Sequence, residues 1–147
     1  EVHIDPNSPE TIYATAHQRR RHVFTYVGGG EGSKIYKSSD AGKNWKELKN
    51  GLPSAIKGRI GMDISPANTD YLYALIEAEN DQQGLYFSNN KGESWEKVNK
   101  YVTSGNYYQE VFCDPLDHNK VFFMDTWLHH TEDGGHPGVH VPPTTWP

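Results

Sequence analysis

The side chains with the greatest chemical capacity in this chain are three consecutive arginines, Arg19, Arg20 and Arg21. They are followed closely by two aromatic residues, Phe24 and Tyr26. Guanidinium groups bind carboxylates through paired hydrogen bonds, and aromatic rings offer flat apolar platforms, so the segment suits a carboxylated or hydroxyl-rich ligand such as a glycan. The alternative is that the arginines hold a long loop against its neighbour by pairing with nearby acidic residues, namely Glu77, Glu79 and Asp81.

The acidic cluster at 77–81 raises the question of catalysis. Glycosidases commonly use two carboxyl groups roughly 5–10 Å apart across the scissile bond. The sequence does not identify a second member, so the catalytic residues are unknown and a solvated acidic loop is the competing interpretation. His129 and His130 match no metal-ligand spacing, and we expect neither a metal nor a cofactor. The candidate ligand contacts are Arg19, Arg20, Arg21, Arg59, Glu77, Tyr107 and Tyr108.

A turn motif, S-x-[DN]-x-G-x-x-W, occurs twice, at 38–45 and at 88–95. Its Asp or Asn can accept hydrogen bonds from backbone N–H groups of its own turn, and its glycine supplies a backbone conformation that a Cβ disfavours. We expect the tryptophan rings to be buried between sheets. A third copy at 131–135 lacks the tryptophan. We therefore assign a structural role to Ser38, Asp40, Gly42, Trp45, Ser88, Asn90, Gly92 and Trp95.

The elements around each motif repeat as well. Residues 2–14, 60–74 and 110–123 each contain two alternating apolar runs joined by a turn rich in Pro, Asn or Asp, which is typical of a β-hairpin. The hairpin around the motif brings each unit to four strands. Four-stranded units that recur every 40–50 residues or so are typical of β-propeller blades. The sequence therefore predicts an all-β fold, a β-propeller fragment of four-stranded antiparallel blades.

We expect blades at about 2–48 and 58–98, an incomplete blade at 109–135, and an irregular proline-rich tail at 136–147. In a four-stranded meander, consecutive turns alternate between the two ends of the blade. The motif turns and the turn at 5–7 therefore share one end, the motif face. The other end, the loop face, gathers the longer connections, and loops on a rigid scaffold commonly carry binding function. These connections are residues 16–33, 48–59, 77–84 and 99–109.

The turn motif resembles the Asp box of the bacterial-neuraminidase-repeat superfamily of propellers. The wider pattern is most similar to large bacterial proteins labelled glycosyl hydrolases or sortilin-like, over roughly residues 2 to 135. The residues that carry this similarity are Asp5-Pro6-Asn7, Gln18-Arg19-Arg20-Arg21, Gly28–Ser33, Gly51-Leu52-Pro53 and Gly58-Arg59-Ile60-Gly61.

That resemblance implies a secreted or periplasmic propeller of glycoside hydrolase type that acts on or binds polysaccharide. The alternative that it implies is a non-catalytic, sortilin-like propeller that binds peptide or protein. The arginine triad and tyrosine nucleophile of sialidases cannot be placed on this sequence, so sialidase activity is not supported.

Composition limits the kinds of partner and location that the sequence supports. The formal net charge of −5 gives no argument for a nucleic-acid or anionic-membrane partner, and no apolar run reaches the ~20 residues of a membrane span. Cys113 has no partner for an internal disulfide, and we expect it in the core. The sequence begins at Glu1 inside a predicted strand, without a signal-peptide pattern, and we expect it to be a piece of a longer protein. A closed propeller uses about four to eight blades, so we expect this chain to combine with the remaining blades of a longer protein.

Overall fold

The computed structural model describes residues 1–103, 108–125 and 127–136, and its regular elements are β-strands. No helix that could cross a membrane occurs among these residues. The strands in chain order are β1 (Val2–Ile4), β2 (Ile12–Ala16), β3 (Arg20–Arg21), β4 (Tyr26–Val27), β5 (Lys34–Ser38), β6 (Lys46–Leu48), β7 (Lys57–Ile64), β8 (Leu72–Ala78), β9 (Gly84–Ser88), β10 (Glu96–Asn99), β11 (Glu110–Cys113), β12 (Val121–Met124) and β13 (Leu128–Thr131).

The strands form three successive antiparallel sheets and one small hairpin. The first blade has the order β1-β2-β5-β6, the second β7-β8-β9-β10, and the third contains β11-β12-β13. The small hairpin pairs β3 with β4 inside the connection between β2 and β5. The predicted all-β class of four-stranded antiparallel blades is confirmed. The predicted tail at 136–147 lies outside the described residues apart from His136.

The hydrophobic core lies between the blades, and strand β8 explains why. Leu72, Ala74 and Ile76 point to one side of the second sheet and join the core against the first blade. Tyr73 and Leu75 point to the other side and join the core against the third blade. All five are at most 1% exposed. A strand buried on both faces is an unbroken apolar run, and side-chain alternation divides that run between two cores.

Each turn motif is closed by its own side chains. The backbone N–H of Gly42 donates to Ser38 Oγ at 2.9 Å, and that of Asn44 donates to Asp40 Oδ1 at 2.8 Å. The second copy repeats both bonds, at 2.9 Å to Ser88 Oγ and 3.0 Å to Asn90 Oδ1. In the third copy, Gly135 donates to Thr131 Oγ1 at 3.1 Å. The third turn therefore forms without its tryptophan, because the turn depends on the hydroxyl and the carboxylate or amide.

The residue after the Asp or Asn adopts a left-handed conformation in every copy. Its φ is +57° at Ala41, +57° at Lys91 and +72° at Gly134. Its N–H donates across the motif face to the preceding turn, as from Ala41 to the carbonyl of Glu10 at 2.8 Å. The strained conformation is therefore held by a bond that fastens the two turns of the blade together.

The two motif tryptophans have the same local geometry but differ in burial. Each indole N–H donates to the motif glycine carbonyl, at 3.0 Å from Trp45 and 3.1 Å from Trp95. Trp95 is 5% exposed, whereas Trp45 is 44% exposed. The expectation that both rings are buried is thus correct for Trp95 and wrong for Trp45. The first blade covers Trp95, and within the described residues no sheet lies in the corresponding position beside Trp45.

The second motif turn also joins two blades. The carbonyl oxygen of Lys91 accepts hydrogen bonds from Tyr13 Oη at 3.0 Å and from Lys37 Nζ at 2.8 Å, both in the first blade. The carboxylate of Glu93 pairs with Lys37 at 3.0 Å and with Lys46 at 3.1 Å. The motif therefore supports the packing of one blade on the next, consistent with a structural assignment.

Candidate functional site

The loop face carries a projecting hairpin, which we call the finger (residues 19–28). Arg20 pairs with Val27 and Arg21 pairs with Tyr26, and the N–H of His22 donates to the carbonyl of Thr25 at 2.8 Å to close the tip. Tyr26 and Val27 form β4 because aromatic and β-branched residues favour strand geometry, whereas residues 22–25 form the turn at the tip. Val23 and Phe24 at the tip are 89% and 92% exposed.

The base of the finger is fixed to the blades. The His17 ring nitrogen Nε2 donates to the Gly28 carbonyl at 2.9 Å, and the N–H of Gly30 donates to the carbonyl of Lys57 at 3.0 Å. A Cβ on Gly29 would lie 2.7 Å from the Lys57 carbonyl oxygen, which is too close. The glycine run therefore allows the base of the finger to pack closely against β7.

The three arginines of the finger are exposed. The guanidinium of Arg19 lies over the ring of Tyr26, 5.9 Å from its centroid. Within residues 1–103, 108–125 and 127–136, no ion pair joins Arg19, Arg20 or Arg21 to the acidic cluster at 77–81. The hypothesis that these arginines hold the loop by pairing with that cluster therefore has no support among the described contacts.

The other predicted ligand contacts lie at separate places on this face. The Glu77 carboxylate accepts a hydrogen bond from the N–H of Arg59 at 3.1 Å, and a Cβ on Gly58 would collide with it. The Glu77 side chain thus already takes part in holding β7 and β8 together. Tyr108 is 50% exposed at the entry to β11. Tyr107 lies outside the described residues.

A cleft of about 470 Å³ opens on the loop face between the first and second blades. Its polar wall contains Lys34, Glu47, Lys49 and Lys57, and its apolar floor includes residues of the core between the two blades, Ile35, Leu48 and Ile76. The six predicted ligand contacts that the structure describes do not line this cleft. Only Gly30 and Glu31, just beyond the finger, connect the two features.

Glu47 is at the electrostatic centre of the cleft. Its Oε2 lies 3.1 Å from Lys34 Nζ and 3.3 Å from Lys49 Nζ. Burial opposes ionisation of Glu47, but the hydrogen bonds from the two lysines outweigh it and hold its pKa below the ordinary value. The bond to Glu47 in turn raises the pKa of Lys34. Glu47 and Lys34 are therefore charged near neutral pH.

A third lysine completes the wall. Lys57 Nζ donates to the carbonyl of Pro53 at 3.0 Å, and burial lowers the pKa of this amine. The linker that carries Pro53 is held by Gln82, whose Oε1 accepts the N–H groups of Ser54 at 2.8 Å and Ala55 at 3.2 Å. The side chain of one β8–β9 residue therefore fixes the wall of the cleft.

Sequence reasoning missed the cleft residues and one further aromatic residue. In the sequence, Lys34, Glu47 and Lys49 look like ordinary charged residues in or beside strands. Only the linker that follows β6 indicates that a gap lies between the two blades. Trp127, 59% exposed in the connection between β12 and β13, lies on the loop face at the same end of the third blade as Tyr108. The sequence signal that could have identified Trp127 as an exposed residue is its position in a short turn between two strands.

Comparison with known proteins gives one family. The family model Sortilin-Vps10, described as sortilin, neurotensin receptor 3, matches residues 2–135. Sortilin of Rattus norvegicus is 39% identical over 75 residues, which cover 51% of this chain and 8% of the rat protein. Sortilin of Mus musculus matches with the same values. The match thus spans less than a tenth of these curated relatives.

Solved structures agree on the fold. The GH74 xyloglucanase from Xanthomonas campestris superposes with a TM-score of 0.61 at 16% identity, covering 95% of this chain and 22% of the enzyme. An ancestral GH74 enzyme superposes with a TM-score of 0.59 at 16% identity, covering 92% and 17%. Likeness at this level of identity concerns the arrangement of blades and not the chemistry.

Proposed function

We propose that this chain, which belongs to the Sortilin-Vps10 family, is part of a non-catalytic propeller whose loop face binds an extended peptide segment of a protein ligand. The observation that carries the proposal is the Lys34–Glu47–Lys49 cluster, with its 3.1 and 3.3 Å ion pairs, in the cleft between two blades. The peptide would lie along this cleft, next to the base of the finger.

The chemistry of the cleft favours binding over hydrolysis. A general acid needs a carboxyl pKa raised towards neutrality, whereas the pKa of Glu47 is lowered. Fixed charges of both signs above an apolar floor suit a peptide, which presents charged side chains, backbone amides and apolar groups together. Lys49, whose side chain is 73% exposed, is free to reorient towards an acidic group of the ligand.

A second candidate function is polysaccharide binding by a glycoside hydrolase-like propeller. Its supporting observation is the pair of exposed rings at the third blade, Tyr108 at 50% and Trp127 at 59%. Exposed tyrosine and tryptophan rings combine an apolar face with a polar edge, which suits sugar rings. With either ligand, we propose that the protein works outside the cytoplasm, secreted or periplasmic, and that further blades complete its propeller.

The test separates the two ligands. The full-length protein is screened against a phage-displayed random peptide library and against a panel of soluble polysaccharides that includes xyloglucan. The selected peptide is then titrated by calorimetry against Lys49→Glu, with Lys43→Ala on the motif face as the matched control. We expect roughly tenfold weaker peptide binding for Lys49→Glu, the size of one lost ion pair, and no change for Lys43→Ala.

Equal loss from both substitutions would contradict the assignment of the cleft. Binding of xyloglucan that depends on Trp127 and not on Lys49, with no peptide selected, would replace the proposal with the polysaccharide function.

A further inference from the structure

The finger exposes an apolar tip that neither the core nor the cleft uses. Val23 is 89% exposed and Phe24 is 92% exposed, and among the large hydrophobic residues that the structure describes only Leu116, at 90%, is comparable. Two further partly exposed apolar side chains, Tyr26 at 48% and Val27 at 41%, follow along the chain on the same hairpin. A continuous exposed apolar surface of this kind marks a place of interaction.

Positive charge is concentrated directly behind the tip. Residues 17–30 contain three arginines and no Asp or Glu, in a chain whose formal net charge is −5. The finger is therefore locally cationic although the chain as a whole carries a net negative charge. Within the described residues, Arg20 and Arg21 have no acidic partner within ion-pair distance. Their charge is available to an anionic surface.

The arginines surround the finger. Arg21 lies opposite Tyr26, and Arg19 stacks on the same Tyr26 ring, so Arg19 and Arg21 share one face of the hairpin. Arg20 lies opposite Val27 and, as the neighbour of Arg21 in the strand, points to the other face. A folded protein partner would meet one face of the hairpin, whereas a layer of lipid headgroups meets a penetrating finger on every side.

From these observations we propose that the finger inserts Val23 and Phe24 into the surface of an anionic lipid bilayer while Arg19, Arg20 and Arg21 bind the phosphate groups around it. The spacing fits this arrangement. Arg21 precedes Val23 and Phe24 by two to three residues, which is at most roughly 7–10 Å along the chain. Interfacial apolar groups are buried about 5–10 Å into the headgroup and acyl boundary, which places the arginines at the level of the phosphates.

Because the base of the finger is already fixed, insertion into the bilayer costs little conformational entropy. The His17–Gly28 bond of 2.9 Å and the Gly30–Lys57 bond of 3.0 Å hold the hairpin in place before any contact with lipid. A preorganised element loses less freedom on binding than a flexible loop. This inference is independent of the proposed peptide cleft, because the tip residues and arginines do not line that cleft.

The test uses sedimentation of the full-length protein with two vesicle preparations, pure phosphatidylcholine and an equimolar mixture of phosphatidylcholine with phosphatidylglycerol. We expect binding to the anionic vesicles that weakens at high salt, and little binding to the neutral ones. Phe24→Ser should weaken it roughly tenfold or more, because an apolar ring no longer enters the interface. Arg20→Gln combined with Arg21→Gln should weaken it roughly thirtyfold.

The matched control is Leu116→Ser, which removes a side chain that is 90% exposed on the motif face. It should leave vesicle binding unchanged, and circular dichroism should show that all variants fold. Loss of binding in Leu116→Ser equal to that in Phe24→Ser would overturn the proposal. So would absence of binding to anionic vesicles, or vesicle binding that is outcompeted by soluble polyglutamate without any dependence on Phe24, which would indicate an acidic protein partner instead.

Discussion

Nδ1 of His3 lies 3.4 Å from Oδ1 of Asp63, so the first strands of two successive blades, β1 and β7, are joined by an ion pair. The other carboxylate oxygen of Asp63 accepts the N–H of Cys113 at 2.8 Å, which extends the link to β11 in the third blade. Nε2 of His3 faces the Glu1 carboxylate at 3.7 Å. One polar chain therefore crosses the first strands of all three sheets.

This pair makes stability depend on pH. Burial opposes protonation of His3, but the adjacent carboxylates of Asp63 and Glu1 outweigh it and raise its pKa from 6.5 to about 9. A raised folded-state pKa stabilises the fold fully below pH 6.5, and that stabilisation is lost as the pH rises through about 9. The expected loss is at most about 3 kcal/mol.

The measurement is urea unfolding of the wild type and His3→Gln between these pH values. The variant should lack most of the pH dependence. His22→Gln in the exposed finger is the control and should behave as the wild type. A wild-type free energy of unfolding that stays flat through alkaline pH would contradict the assignment.

The two motif tryptophans should respond differently to truncation. Trp95→Ala removes a ring that is 5% exposed and should cost about 3–5 kcal/mol of unfolding free energy. Trp45→Ala removes a ring that is 44% exposed and should cost about 1–2 kcal/mol. Both values come from denaturant titration. Equal costs would mean that Trp45 is covered in solution as fully as Trp95.

The left-handed backbone at Ala41 predicts a stabilising substitution. With φ at +57°, the alanine Cβ is strained, so Ala41→Gly should raise the free energy of unfolding by about 1 kcal/mol. The third turn already carries glycine, Gly134, at this place. The opposite change at the next residue, Gly42→Ala, should destabilise the protein because Gly42 has φ of +84°. Backbone strain alone would cause this loss, since an added Cβ would meet only ordinary van der Waals contacts. Destabilisation by Ala41→Gly would argue against strain at this residue.

Acid should weaken the first motif turn and spare the second. Hydrogen bonds from Asn44 and Ser38 lower the pKa of Asp40 from 3.8 to about 2. A lowered pKa stabilises the fold above pH 3.8, and the stabilisation disappears as the pH falls through about 2. Asp40→Asn, which reproduces Asn90 of the second turn, should reduce this acid dependence of the melting temperature. An unchanged melting curve with lost ligand binding would instead indicate a functional role for Asp40.

The sequence by itself determined the blade architecture and the turn motifs. The bonds of Ser38 and Asp40 reach residues at most four positions away, so a short pattern specifies them. The strand positions follow equally from local patterns, such as the unbroken apolar run at the start of β8, although only packing divides its residues between two cores. The arginine-rich loop was also recognisable, but its hairpin form and its exposed tip were not.

Tertiary structure alone decided the rest. The cleft arises where one blade meets the next, and the His3–Asp63 pair joins residues from two different blades. The difference between Trp45 and Trp95 depends on whether a neighbouring sheet covers the same motif. Burial, ion pairing and pKa at these places are set by distances between residues remote in the chain. A local pattern identifies the residues at these places but carries no information on those distances, because the distances depend on how whole sheets pack.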